Sequence, residues 1–127
     1  MDEMTKISGS KRNNRRKRMT IEELLNESQS TAVDKGWWDE ERSFAECIAL
    51  AHSELSEALE EYRNGHYMWK IYYSGQGKPE GIAVELADLL IRIGDTCKHF
   101  NIPLEEALLL KMKYNKTRPH RHGGKKL

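Results

Sequence analysis

The sequence predicts an all-α fold for this chain of 127 residues, and three observations support that class. Two capping boxes, Thr20–Glu23 and Ser43–Glu46, each precede a stretch in which apolar residues recur every three or four positions. Similar stretches follow Pro79 and Pro103. The composition, 38% hydrophobic and 32% charged, suits a small helical domain with a modest core.

These signals delimit four predicted helices. The first begins after the N-cap Thr20 and runs to about Lys35, where Gly36 suits the left-handed residue that ends many helices. Amide hydrogens in the first turn of a helix have no partner within the helix, so proline, which has no amide hydrogen, is well suited to this position. Pro79 and Pro103 are therefore predicted to begin helices. The three later helices are predicted over 43–64, 79–100 and 103–119.

Aromatic residues are concentrated in the two connectors that flank the second helix. Trp37 and Trp38 are adjacent, so one helix face cannot bury both rings. The loop over 64–79 is long and rich in tyrosine, tryptophan and other large apolar residues. Such loops are often lids or binding loops, and the alternative is that these residues pack on a neighbouring subunit. A short helical turn over 67–73 is a further option.

The distribution of charge defines three regions: a basic arm over 1–19, a folded domain over 20–119 and a basic tail over 120–127. The net charge is only +1, yet 20–107 carries seven basic and eighteen acidic residues. The arm lacks apolar periodicity and is predicted to be disordered. It can act as a tether to nucleic acid or as a localisation patch, but a solvated extension without a role is favoured because no aromatic residue is interleaved.

Cysteine usage and hydropathy indicate a cytoplasmic protein that does not enter the membrane. Cys47 and Cys97 fall at apolar helix positions and are predicted to be buried free thiols. No stretch approaches the roughly 18 apolar residues that span a bilayer, and the N-terminus lacks the apolar core of a secretory signal. No group of cysteine and histidine residues has the spacing of a zinc site.

Two acidic pairs carry the functional prediction. Glu54 and Glu57 lie three residues apart in the second helix, and Glu85 and Asp88 do so in the third. Each pair projects from one helix face and borders an apolar stripe, so the two pairs can meet if the helices pack together. Four carboxylates would form a cage for Mg²⁺, with Mn²⁺ as a substitute. The alternative is two solvated acidic faces, since such pairs arise easily by chance in a chain with 20 acidic residues.

A cationic helix face supplies a matching anion site. Lys111, Asn115 and Arg118 fall on one face of the fourth helix. Divalent ions held by carboxylates bind polyphosphate and activate water, and cationic side chains bind the remaining phosphate charge. Aromatic faces stack on nucleobases, which makes the three tryptophans base-binding candidates: Trp37, Trp38 and Trp69. Together these residues predict metal-dependent hydrolysis of a nucleoside triphosphate.

The spacing of the two acidic pairs resembles the ExxE…ExxD signature of the MazG-like, all-α nucleoside triphosphate pyrophosphohydrolases. The stretch over 79–88 and the ending Lys111-x-x-x-Asn115-x-x-Arg118-Pro119 are also similar to that family. The resemblance covers about residues 20–124, and the basic arm lies outside it.

The resemblance implies a four-helix MazG-like subunit that forms a homodimer or homotetramer through helix packing. It implies Mg²⁺-dependent cleavage of an NTP or dNTP to the monophosphate and pyrophosphate, in the service of nucleotide-pool house-cleaning. The metal ligands and catalytic residues would be Glu54, Glu57, Glu85 and Asp88. The phosphate contacts would be Lys111, Asn115 and Arg118.

Two other classes of function are considered. A non-catalytic helical interaction module with a nucleic-acid-binding arm over 1–19 would account for the segregated charge. A carboxylate-bridged di-iron bundle is disfavoured because the sequence contains no Glu-x-x-His motif.

Overall fold

The computed structural model describes residues 18–127 and is predominantly helical, which confirms the all-α class. Five helices and two short strands follow one another in the described part: α1 (Ile21–Asp34), α2 (Phe44–Arg63), β1 (Tyr72–Tyr73), β2 (Pro79–Glu80), α3 (Ile82–His99), α4 (Leu104–Lys116) and α5 (Arg121–Gly124). The prediction of a disordered basic arm over 1–19 falls almost wholly outside the described residues.

Both predicted capping boxes form and set the starts of α1 and α2. Thr20 Oγ1 accepts the backbone N–H of Glu23 at 3.0 Å, and Glu23 Oε1 accepts the N–H of Thr20 at 2.9 Å. Ser43 and Glu46 make the same reciprocal pair at 3.1 and 2.8 Å. Each box satisfies two amides that a helix N-terminus otherwise leaves without partners.

The prediction that Pro79 begins the third helix is wrong. Pro79 lies in β2 and pairs with Tyr73 in an antiparallel hairpin, and α3 begins at Ile82. Gly81, the N-cap, has a φ of 127°, and a Cβ on it would lie 2.4 Å from the carbonyl oxygen of Lys70. The chain therefore turns between the hairpin and α3 at a position that only glycine can occupy without strain.

The helical turn considered over 67–73 forms only at its start, where Lys70 N–H donates to Tyr67 O at 3.1 Å, and the fourth helix ends earlier than predicted. Tyr72 and Tyr73 form strand β1, because the backbone of the loop pairs across the hairpin. Helix α4 ends at Lys116, with Thr117 as its C-cap, and does not reach Pro119. The residue that precedes a proline is disfavoured in the helical conformation, which accounts for this earlier end.

Helix α3 is the centre of the packing. Helices α1 and α2 both pack along it, whereas α4 touches α1 through only a few residues. Gly94 allows α1 to approach closely, since a Cβ there would lie 3.1 Å from Ser28 Oγ and 3.3 Å from Leu24 Cγ. The core is small, and its buried apolar residues are Cys47, Ala58, Ile82 and Cys97.

The apolar stripe that borders Glu54 and Glu57 on α2 is buried at Ala58 but exposed at its large side chains in the single chain. The residues of α2 that turn towards α3 are Cys47, Glu54 and Ala58. The rotation that buries Glu54 leaves Leu55 and Leu59 about half exposed, at 49% and 58%. A face of large apolar side chains on α2 thus remains open to solvent in the single chain.

Two other expectations concern the thiols and the membrane. Cys47 and Cys97 are buried free thiols, as expected. Burial raises the pKa of the Cys97 thiol above its ordinary value. Within residues 18–127, no helix combines the length and the hydropathy needed to cross a bilayer.

Candidate metal centre

The two acidic pairs meet where α2 crosses α3. Glu54, Glu85 and Asp88 each place one carboxylate oxygen within 4.8 Å of the others. Ligands of one Mg²⁺ with bonds of 2.0–2.1 Å lie at most about 4.2 Å apart, so a small closing movement suffices for a shared ion. Glu54 is buried, and Glu85 and Asp88 are half-buried.

Glu57, the fourth predicted ligand, lies beside Glu85 and is exposed. The pKa of Glu85 is raised to about 7, first by burial and then by a hydrogen bond with Glu57 and the charges of Glu57, Asp88 and Glu54. Two carboxylates make that hydrogen bond only while one holds a proton. We call these four residues the acidic cluster.

One oxygen of the cluster has no partner at all. Among the described residues, Glu85 Oε1 is the buried side-chain polar atom without a hydrogen bond. Leaving such an atom unpaired costs free energy that a cation or proton would recover. This orphaned atom is independent evidence that the cluster fits a hard, oxygen-seeking ion.

The electrostatics of Asp88 show the same excess of negative charge. Burial raises the pKa of Asp88, and the charges of Glu54 and Glu57 raise it too, whereas Arg92 and Lys78 oppose them. The two cations therefore do not cancel the combined effect of burial and repulsion. A divalent ion at this point would complete the charge balance.

Arg92 connects α3 to the buried glutamate of α2. Its Nε donates to Glu54 Oε2 at 2.6 Å, and the side chain of Glu54 is only 9% exposed. The pair joins α3 to α2 across the helix interface. This bond fixes the orientation of the Glu54 carboxylate, as partners of metal ligands commonly do.

A cleft of about 280 Å³ opens beside the acidic cluster, between α1 and α3. Glu54 and Asp88 line one part of it, and Trp37, Arg42 and Asp95 line others. The carboxylates and this cleft therefore form one continuous site in the single chain.

The three candidate tryptophans have different positions. Trp37 lines the cleft, with the guanidinium of Arg42 5.5 Å from its ring centroid. Trp38 is committed to packing, since its ring stacks on His99 at 3.6 Å and its Nε1 donates to Asp95. Trp69 stacks on Tyr67 in the loop before β1 and is 75% exposed. Trp37 is thus the tryptophan that the structure brings to the carboxylates.

The predicted phosphate-binding face lies elsewhere in the single chain. Lys111 lies on α4 and Arg118 follows its C-cap, Thr117, outside the helix. Their cationic groups lie 5.2 and 5.6 Å from the ring centroid of Tyr114. Neither these residues nor Asn115 lines the cleft beside the acidic cluster.

The structure adds residues that the sequence did not single out as site residues. Lys78, in the hairpin turn, is close enough to lower the pKa of Asp88. Arg42 and Asp95 line the cleft. Asp95 lies outside the trio that could hold a metal ion and accepts hydrogen bonds from Gln29 and Trp38. Arg42 and Lys78 lie in connectors outside the helices, so only the fold brings them to the site, and helical spacing carried no signal for these two residues.

The hairpin that carries Lys78 is anchored to α2. Tyr72 Oη donates to Glu61 Oε1 at 2.8 Å, and His66 stacks on the Tyr72 ring. The hydrogen bond to Glu61 is the main cause that raises the pKa of Tyr72 to about 12. Glu61 therefore holds the hairpin and is not part of the acidic cluster.

Comparisons of the chain with protein-family models, with curated proteins and with solved structures find no match in any of the three.

Proposed function

We propose that this protein is a Mg²⁺-dependent nucleoside triphosphate pyrophosphohydrolase of the MazG-like type, which converts an NTP or dNTP to the monophosphate and pyrophosphate. The observation that carries the proposal is the convergence of Glu54, Glu85 and Asp88 within 4.8 Å, beside a buried oxygen that has no partner. The motif resemblance adds the class of reaction.

The acidic cluster would hold the metal, and Mn²⁺ would serve in place of Mg²⁺. Bound there, the ion supplies neutralisation of phosphate charge and activation of a water molecule. Glu57 is the exposed member of the cluster, so we assign it the task of accepting a proton from the attacking water. Arg92 keeps Glu54 oriented, and Lys78 approaches the same charges from the hairpin.

A second copy of the chain is part of the proposal. Large apolar side chains are exposed on α2 and on α3, with Leu59 at 58% and Leu90 at 54% exposure, and oligomers commonly bury such side chains. Because Lys111, Asn115 and Arg118 do not line the cleft of their own chain, we propose that a partner subunit supplies this phosphate-binding face. The assembly would be a homodimer or homotetramer.

Size measurement in solution tests the assembly. Leu59→Asp places a charge on the exposed apolar face and should give a monomer by light scattering. Val33→Asp is the matched control, because Val33 is similarly exposed, at 53%, but lies on α1. Oligomers of unchanged size in the Leu59 variant would refute this interface.

Substitution of the acidic cluster tests the activity. Glu57→Gln and Asp88→Asn should each abolish Mg²⁺-dependent pyrophosphate release and leave helical circular dichroism intact. Glu60→Gln is the control, since Glu60 is an exposed acid of the same helix whose only ion pair in the described residues is with Arg63. Equal turnover in all three variants would contradict the assignment of the site.

A further inference from the structure

Asp95 extends the acidic side of α3 into the cleft. It lies seven residues after Asp88, which is two helical turns or about 10 Å along the axis. Both residues line the same cleft between α1 and α3. A ligand with its phosphates at the acidic cluster would therefore reach Asp95 with the opposite end.

The Asp95 carboxylate is held in a fixed orientation. Its Oδ1 accepts from Gln29 Nε2 at 2.7 Å and from Trp38 Nε1 at 3.0 Å. Its Oδ2 accepts only the longer branch of the Trp38 bond, at 3.2 Å. A carboxylate has about four acceptor sites, so Oδ2 keeps capacity for a donor on a ligand.

The walls of the cleft suit a flat ring. Trp37 is 56% exposed and lines the cleft, and Ala32 and Ile91 contribute apolar surface. Stacking of a base on an aromatic side chain is worth about 1–3 kcal/mol. The volume of about 280 Å³ falls just below the range of pockets for drug-sized ligands, which suits a nucleoside and not an entire triphosphate.

We propose that this cleft is the nucleoside subsite and that Asp95 selects bases with an amino group at C4 of a pyrimidine or C6 of a purine, cytosine or adenine, over bases with a carbonyl group there, such as uracil, thymine and hypoxanthine. The amino groups of cytosine and adenine donate hydrogen bonds, whereas the corresponding O4 of thymine is an acceptor, as it is in uracil. An acceptor placed against a carboxylate is repelled. This inference rests on the proposed function, because the phosphates are placed at the acidic cluster.

The test compares base pairs that differ at this one group. Binding of α,β-imido analogues of dCTP, dUTP, dATP and dITP is measured by calorimetry with Mg²⁺, and kcat/KM is measured for the parent nucleotides. We expect the amino-bearing base of each pair to be favoured about tenfold or more, the scale of a good base-edge contact. Equal affinity of the wild-type protein for both members of each pair would overturn the proposal. This comparison needs no variant, so it holds even if a variant fails to fold.

Asp95→Asn converts the acceptor to a donor at constant shape. The amide oxygen can keep the Gln29 and Trp38 bonds, which places the NH₂ group at the position of Oδ2. We expect the preference to disappear or invert towards uracil and hypoxanthine. An unchanged preference in a folded Asn variant would overturn the role of Asp95.

Trp37→Ala separates stacking from selection. All four analogues should bind about 5- to 100-fold more weakly, with the amino preference retained. Unaltered binding in this variant would place the base elsewhere and overturn the subsite. Base discrimination without hydrolysis of any nucleotide would support the subsite and refute the proposed reaction. Hydrolysis without base discrimination would support the proposed reaction and refute the subsite.

Discussion

Glu85→Gln should stabilise the metal-free protein at alkaline pH. The pKa of Glu85 is about 7 in the folded chain, against an ordinary value of 4.5, with burial as the first cause. At pH 8 the side chain is ionised in both the folded and the unfolded state, and the partly buried charge destabilises the folded state. The glutamine has no charge, and its amide can donate to Glu57.

The magnitude follows from the two pKa values. The difference between these two pKa values corresponds to a free energy of unfolding of about 3 kcal/mol. Screening by solvent at a half-exposed site reduces this free energy to about 1–2 kcal/mol. The raised pKa means that the stability contributed by the proton is complete below about pH 4.5 and is lost as the pH rises through about 7. For a domain of this length, we expect the variant to melt about 4–8 °C higher at pH 8.

Thermal unfolding is followed by circular dichroism in EDTA at several values between pH 4.5 and pH 8. The wild-type midpoint should fall relative to that of the Gln variant across this window. Glu60→Gln, exposed on α2, should run parallel to the wild type within about 0.5 kcal/mol. A Gln variant that melts lower than the wild type at pH 8 would refute the account of Glu85.

Addition of Mg²⁺ should reverse the order. A ligand that binds only the folded state at a hundred times its dissociation constant stabilises it by about 2.7 kcal/mol. The wild type should gain this stability, whereas the Gln variant has lost a ligand and should gain less. Equal gains in both proteins would show that Glu85 does not hold the ion.

Three further results are expected. Arg92→Met should weaken Mn²⁺ binding about 10- to 100-fold by electron paramagnetic resonance, because Glu54 loses its partner. Arg92→Lys should restore part of the affinity, and tighter binding in the Met variant would contradict this role. Gly81→Ala should lower the stability by about 1–3 kcal/mol in urea unfolding, because φ is 127° at this position and the new Cβ would meet the Lys70 carbonyl oxygen. An unchanged unfolding midpoint would contradict the close approach. Mn²⁺ affinity should fall about tenfold from pH 8 to pH 6, since a proton on Glu85 competes with the ion, and a flat profile would exclude this competition.

Local signals in the sequence were sufficient for the helix starts and for the acidic pairs. The Thr20 and Ser43 capping boxes involve residues three positions apart, so their hydrogen bonds follow from the sequence alone. The spacing of Glu54 from Glu57 and of Glu85 from Asp88 placed each pair on one face. Their position beside the apolar stripes gave the expectation that the two faces meet, and the resemblance to a family of known reaction added the class of reaction.

The features that were missed depend on contacts between distant parts of the chain. The Asp95 bond to Gln29 joins residues 66 positions apart, and the Arg92 bond to Glu54 joins residues 38 positions apart. Both depend on how α1 and α2 rotate about α3, which periodicity does not determine. Pro79 was misassigned for a related reason, because its partner in the hairpin is Tyr73 and strand pairing outweighed its preference for a helix start.

The most direct test of the central claim is the identity of the products. The purified chain is incubated with each of a panel of NTPs and dNTPs, with Mg²⁺ or with EDTA, and the products are resolved by anion exchange and ³¹P NMR. We expect nucleoside monophosphate and pyrophosphate in equal amounts, only with the metal and only when the acidic cluster is intact. Release of nucleoside diphosphate and phosphate, or cleavage that persists in EDTA, would contradict it.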